Sequence, residues 1–286
     1  MKCKTSMRNS KFGMQMKVFC ILSDERAFRS KSPAMFSAVM KQVGINGVYV
    51  PFMVDKNKIG QAMQSLRVLN IAGANVTVPY KETVIPHLDV LSEGANIIGA
   101  INTIVRKGEV LKGYNTNAIG FMDALNDANF DVVGKTALVF GTGGAAKAVV
   151  FILNWLRANS ILVVGRSEEK TRKIVSSFGG EAKLLESLEG QSIPADIVVN
   201  ATSVSSPDES PELAALAGRL EVPGCELVFD LNYGRSQNFW QDMAQTREIR
   251  FMDGLSALAY QAKRTFALWT GIQVPSEEFK KALPIN

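Results

Sequence analysis

Histidine and cysteine are scarce. The 286-residue chain holds one histidine, His87, and three cysteines, Cys3, Cys20 and Cys225, with no CxxC pair among them. A zinc or iron centre built on such ligands is excluded. Thiols this far apart form no disulfide framework and suit a reducing cytoplasm. Cys20 and Cys225, both read as lying in apolar strands, are expected to be small buried hydrophobes. No stretch approaches the ~18 consecutive apolar residues of a membrane span. The apolar run after the basic N-terminus, residues 18–22, is too short for the core of a signal peptide. Residues 1–16 are therefore expected to be a flexible extension outside the fold. Lys and Arg exceed Asp and Glu by only 32 − 27 = 5, and no basic cluster interleaves with aromatics. Nucleic acid and membrane are thus not expected partners. Phosphorylated or carboxylated small ligands account for the excess.

What is present is a globular composition, 47% apolar and 21% charged, in a length that suits two domains. The most informative stretch runs from Lys135 to Ser167. A buried strand (135–140) leads into Gly141-Thr142-Gly143-Gly144-Ala145 and an apolar helix, and a second strand (161–165) ends on Arg166-Ser167. A strand, a G-x-G-x-x-A turn and a helix seat a pyrophosphate, because the glycines let the backbone approach and the helix N-terminus offers unpaired N–H groups. An NAD-specific domain carries an acid about 20 residues after the glycines. Here Arg166 stands there, with Lys170 one helical turn on. A guanidinium forks onto a 2′-phosphate that a carboxylate would repel, so the expected cofactor is NADP(H). The alternative for Arg166 is a solvated strand-end residue.

Strands and helices alternate from Lys17 onward: strand 18–22, a helix opened by Ser32 as cap and Pro33, strand 48–54, helix 55–69 and strand 72–78. A hairpin follows at 102–116, with Lys107-Gly108 as its turn. Parallel βαβ units follow from this order. Residues 117–130 read as a connecting helix, and the apolar helix 255–268 is expected to pack back onto the first lobe. The fold class is α/β in two lobes: residues 17–116 with 255–286 as an N-terminal substrate-binding lobe, and 117–254 as a Rossmann-type NADP lobe, with a cleft between.

Three polar clusters sit at strand ends of the first lobe: Asn75 to Lys81 with Thr77 and Pro79 inside, Gly99 to Thr103, and Gly113 to Asn117. Singly, each is ordinary turn chemistry. Together they form a set of donors for a polyhydroxylated ligand. In order along the chain, Ser30-Lys31-Ser32-Pro33, Asn-Val-Thr-x-Pro-x-Lys (75–81), Gly-Ala-x-Asn-Thr (99–103), Gly-Tyr-Asn-Thr (113–116), Gly-x-Gly-Gly-Ala (141–145), Asn-Ala-Thr-Ser (200–203), and Gly254 with Gln261 resemble the shikimate dehydrogenase family. That family reduces 3-dehydroshikimate to shikimate with NADPH, in aromatic amino-acid biosynthesis.

The resemblance implies that Ser30 and Ser32 bind the substrate carboxylate, and that Thr77, Asn102 and Gln261 hold ring hydroxyls with Tyr233 nearby. It makes Lys81 the catalytic lysine. Gly141 to Ala145, Arg166, Ser167, Lys170, Thr202, Leu231 and Gly254 would line the cofactor, with Glu93 near the nicotinamide end. The physical case for Lys81 is separate: hydride addition builds negative charge on a ketone oxygen, which a positioned cation or proton donor stabilises.

The pattern breaks where the family's catalytic aspartate falls, because this chain has Asn117, which bonds a hydroxyl without a charge. Phe36-Ser37 replace the family's His-Asn, Ser23-Asp24-Glu25-Arg26 its Gly-x-Pro, and Gly165 its Asn, and Val204-Ser205 lacks its glycine. The alternatives are a dehydrogenase of quinate or another cyclic hydroxy acid, and a shikimate-binding protein with catalysis weakened at Asn117. A methylene-tetrahydrofolate dehydrogenase fits less well, since its substrate offers no compact polyol to Ser30, Ser32 and Gln261. The expected assembly is a monomer or homodimer.

Overall fold

Strand β1 (Lys17–Ser23) is central to the first lobe. In the computed structural model, which describes residues 16–283, it pairs in parallel with β2 (Gly47–Met53) on one side and β3 (Gly73–Val76) on the other. Its side chains alternate between two buried faces. Phe19 and Ile21 pack on Met35, Phe36 and Val39 of α1 (Ser32–Gln42), whereas Cys20 and Leu22 pack on Ile59, Met63 and Leu66 of α2 (Ile59–Val68). A strand covered on both faces must be apolar at every position, which is why residues 18–22 show no polar alternation. The sheet continues through β4 (Val90–Leu91), which follows a short turn and precedes α3 (Glu93–Ile98), and through the antiparallel hairpin β5 (Thr103–Lys107) and β6 (Val110–Tyr114). Its order is β2-β1-β3-β5-β6-β4.

The second lobe begins with α4 (Asn117–Asp127) and runs β7 (Thr136–Phe140), α5 (Gly144–Trp155), β8 (Ser160–Gly165), α6 (Glu168–Phe178), β9 (Glu181–Leu184), β10 (Ile197–Asn200), α7 (Pro211–Arg219), β11 (Leu227–Asp230), α8 (Phe239–Thr246) and β12 (Arg250–Met252). All five strand pairings are parallel, in the order β12-β11-β10-β7-β8-β9. This is the doubly wound order of a dinucleotide fold, which reverses between β7 and β10 and opens a crevice there. Ala137 and Val139 face the core shared with α4 and α5, while Leu138 and Phe140 face Trp240 and Phe239 on the other side. Helix α9 (Leu255–Thr270) then returns, as expected, to bury Ala259, Ala262 and Phe266 against Phe19 and Met35, and Phe279 of α10 (Ser276–Lys281) joins that core.

Local details correct four expectations. Helix α1 includes Ser32 rather than being capped by it. Lys31 holds the cap position, and Ser30 Oγ accepts the Ser32 N–H at 3.2 Å. Helix 55–69 opens with a separate 3-10 turn, Lys56–Lys58, because the Asp55 carboxylate accepts from Asn57 N at 2.8 Å. The hairpin turns at Gly108-Glu109, one residue later than expected, since Lys107 still pairs with Val110. Cys225 lies just before β11, half-buried, its Sγ 3.5 Å from the Leu227 carbonyl. The expected extension lies, save Met16, outside the described residues.

Candidate active site

The carboxyl ends of both sheets face one cleft of about 1300 Å³. It is large enough for a dinucleotide beside a small substrate. The first lobe contributes Ser30, Ser32, Thr77, Lys81 and Asn102 to its walls, and the second contributes Asn117, Gly141 to Ala145, Arg166, Thr202, Leu231 and Tyr233. Gly254 and Gln261 line it where α9 begins.

Below the first-lobe wall the three polar clusters merge into one hydrogen-bond network. Asn102 Nδ2 donates to Thr116 Oγ1 at 2.8 Å, to Asn117 Oδ1 at 2.9 Å and to Gln261 Oε1 at 3.0 Å, while its Oδ1 accepts the Thr116 N–H at 2.6 Å. Thr103, Thr116 and Thr265 join hydroxyls at 2.8–3.2 Å behind them. Asn75 ties the network to β3, donating to the Asn102 carbonyl at 3.0 Å and accepting from Tyr49 at 2.8 Å. These bonds consume the carbonyl oxygens of Asn117 and Gln261 and leave their amide N–H groups without a partner among the described residues, on the cleft side. Their approach depends on Gly120: a Cβ there would come within 2.7 Å of the Ala257 carbonyl and 2.8 Å of Gln261 Cβ. Only a glycine lets α4 and α9 bring position 261 beside position 102.

Lys81 stands at the seam between the lobes. Its backbone carbonyl accepts from Ile101 N at 2.8 Å, and its ammonium has no hydrogen bond or ion pair among the described residues. Burial without an opposite charge lowers its pKa to about 8. Glu82 is no counter-ion, since it pairs with Lys147 of α5 at 2.5 Å across the seam. At pH 7 the lysine is thus mainly a cation, with a neutral fraction that grows within the physiological range.

At one end of the cleft, buried tyrosines back the serine pair. Tyr49 lies against Ser32, and Tyr233 reaches from the second lobe to Ser30 and the Lys31 backbone; burial raises both phenol pKa values, so both remain protonated donors. At the other end, Gly143 caps α5 with no side-chain hydrogen bond and no acid in the first turn, leaving the amide end open to an anion. Arg166 is exposed on the cleft wall with no partner among the described residues. An uncapped helix start and an unpaired guanidinium suit a dinucleotide bearing an extra phosphate. Gly165 is closely covered by threonine side chains: a Cβ there would lie 2.4 Å from Thr171 Oγ1 and 2.5 Å from Thr142 Cγ2, so an asparagine would require both to move. Ser205 fills its missing glycine's place with function: its buried hydroxyl accepts from Asn200 Nδ2 at 3.2 Å and Asn232 Nδ2 at 2.9 Å, beside buried Asp230.

Three predicted residues lie off the cleft. Glu93 is exposed in the first turn of α3, which Ser92 caps, and a carboxylate there is accounted for by the helix dipole. Ser167 spends its oxygen capping α6, accepting from Lys170 N at 3.4 Å, and Lys170 is exposed within that helix. Conversely, Tyr49, Thr265 and the rim arginines Arg26 and Arg29 were not singled out from sequence. Thr265 follows Gln261 by one helical turn, a spacing that could have found it. Tyr49 carries no local signal, as its partner Asn75 is 26 positions away.

Comparison with known proteins covers both lobes. Residues 25–104 match the model described as shikimate dehydrogenase substrate binding domain, and residues 124–249 match shikimate / quinate 5-dehydrogenase. The chain is 37% identical over 263 residues to the shikimate dehydrogenase (NADP(+)) of Desulforamulus reducens, spanning 89% of this chain and 90% of that one. With the corresponding protein of Pyrococcus furiosus it shares 38% identity, over 85% and 86% of the two chains. A crystal structure of shikimate 5-dehydrogenase from Thermus thermophilus, in complex with NADP(H) and shikimate, is similar at TM-score 0.80 and 31% identity, covering 94% of this chain and 98% of that one.

Proposed function

The chain belongs to the shikimate dehydrogenase family, and we infer on that footing that it reduces 3-dehydroshikimate to shikimate with NADPH. The observation that carries this reading is the placement of Lys81: a half-buried ammonium with no partner among the described residues, in the cleft that also holds the glycine turn and Arg166. We assign residues 17–116 with 255–286 to the substrate lobe and 117–254 to the NADP lobe.

Ser30 and Ser32 take the substrate carboxylate at the start of α1, where the helix dipole adds attraction. Thr77, Asn102, Gln261 and Asn117 hold the ring oxygens, with Tyr233 closing over them from the second lobe. The turn from Gly141 to Ala145 receives the pyrophosphate, Thr202, Leu231 and Gly254 border the nicotinamide, and Arg166 takes the 2′-phosphate. NADPH, when bound, supplies the hydride.

The protein's own contribution is the proton. As negative charge develops on the carbonyl oxygen, the Lys81 ammonium donates its proton to that oxygen and becomes a neutral amine, which solvent reprotonates. In the reverse direction the neutral amine accepts the hydroxyl proton. Asn117 gives the same oxygen an N–H donor but cannot share the lysine's proton or hold its charge. Lys81 therefore acts without an acidic neighbour.

Steady-state assays of shikimate and quinate with NADP⁺ and NAD⁺ test the reading. Turnover should be fastest for shikimate with NADP⁺, and Lys81→Ala should abolish it while NADPH affinity is retained. Equal or faster turnover of quinate would reassign the substrate, and tight shikimate binding without turnover would make the protein a binder. The unpaired thiols of Cys20 and Cys225 suit a cytoplasmic enzyme, acting as a monomer or homodimer.

A further inference from the structure

Four arginines line the cleft: Arg26, Arg29, Arg166 and Arg235. Two are neutralised within the chain. Asp24 accepts from Arg26 Nε at 2.8 Å and Nη2 at 2.6 Å, and Glu209 accepts from Arg235 Nε at 3.0 Å. Arg166 and Arg29 have no carboxylate or hydrogen-bond partner among the described residues. Arg166 has its ligand in the 2′-phosphate. Arg29, exposed in the last turn of the 3-10 segment Glu25–Arg29, stands at the other end and directly precedes Ser30.

We propose that Arg29 is a further ligand of the substrate carboxylate and sets the preference for a free acid over its uncharged derivatives. The inference rests on the shikimate reading. The serine pair alone offers neutral donors: Ser30 Oγ already accepts the Ser32 N–H at 3.2 Å, and both hydroxyls are backed by protonated tyrosines. A carboxylate held only by neutral donors keeps its full charge inside the cleft, and a guanidinium on the adjacent residue compensates it through a charge-assisted contact. The rim is arranged to leave Arg29 available. The Asp24 carboxylate, five residues before Arg29, is taken by Arg26 in a bidentate pair.

The test compares shikimate with its methyl ester in the full chain, Arg29→Gln and Arg29→Lys, at low and high salt, with the KM for NADP⁺ as internal reference. Because Arg29 is exposed, its loss should raise the KM for shikimate roughly three- to tenfold. The KM values for the ester and for NADP⁺ should stay unchanged, and Arg29→Lys should recover part of the loss. The rise in wild-type KM for shikimate with salt should flatten in Arg29→Gln, which a merely structural role would not produce. An Arg29→Gln enzyme whose acid and ester KM values shift equally, or not at all, overturns the proposal while wild-type turnover leaves the substrate reading standing. Absence of wild-type turnover on shikimate would remove that reading and this inference together.

Discussion

Lys81 lies directly against Gly144: a Cβ built on that glycine would come within 3.2 Å of Lys81 Cβ and 3.5 Å of its Cδ, and within 2.9 Å of Ala100 Cβ. The lysine of one lobe thus rests its methylenes on the first residue of α5 in the other, beside the turn that receives the pyrophosphate. Gly144→Ala should push the lobes apart at the reacting centre. Overpacking of this kind costs about 1–3 kcal/mol, roughly 2–4 °C in Tm per kcal/mol. Thermal unfolding and kcat measured together check this, and kcat should fall by more than the lost stability explains. Unchanged values for both would show that the seam yields freely.

The pH dependence of turnover follows from the Lys81 pKa of about 8. Reduction needs the ammonium, so its rate should be flat below about 8 and fall above it, whereas oxidation of shikimate should rise through the same value. Stability carries the matching sign. The native pKa lies below the ordinary 10.5, so between the two the unfolded chain binds the extra proton and stability rises with pH. Lys81→Met should therefore melt above the wild type at pH 7, with the gap closing as pH approaches 10.5. pH–rate profiles in both directions and melting curves across that range provide the check.

Asn117→Asp places a carboxylate in the network that Asn102 Nδ2 now bonds at 2.9 Å. An opposite charge favours the ammonium, so the midpoint of the pH–rate profile should move to higher pH. The measurement is the profile itself; a midpoint that stays in place would mean that position 117 lies beyond electrostatic reach of Lys81.

Arg166→Ala should weaken NADPH by about ten- to hundredfold and leave NADH nearly untouched, since a hydrogen bond to a charged group contributes roughly 1.5–3 kcal/mol. Fluorescence titration with both nucleotides distinguishes them. Equal loss for the two would detach Arg166 from the 2′-phosphate.

Much of this could be read along the chain. The parallel strands were visible because a strand buried on both faces is apolar throughout, and the NADP end because its glycines, helix start and Arg166 occupy one short segment. The short elements β4 and α3 escaped, as two paired residues and six helical ones leave no periodicity to detect. Glu93 and Ser167 come from the family resemblance rather than from a local physical pattern, as does Lys170 beyond its one-turn spacing from Arg166; Ser167 caps α6, and none of the three is among the residues lining the cleft.

Residue order by itself determined the elements, the family and the kinds of chemical group present, because those depend on spacings of a few residues. Folding in three dimensions decided which groups remain unspent. Gln261 meets Asn102 across 159 positions, Asp24 pairs with Arg26 while Arg29 keeps no partner among the described residues, and Lys81 is half-buried with no counter-charge among them. Solvation and pairing are functions of distance through space, which no local pattern of side chains encodes.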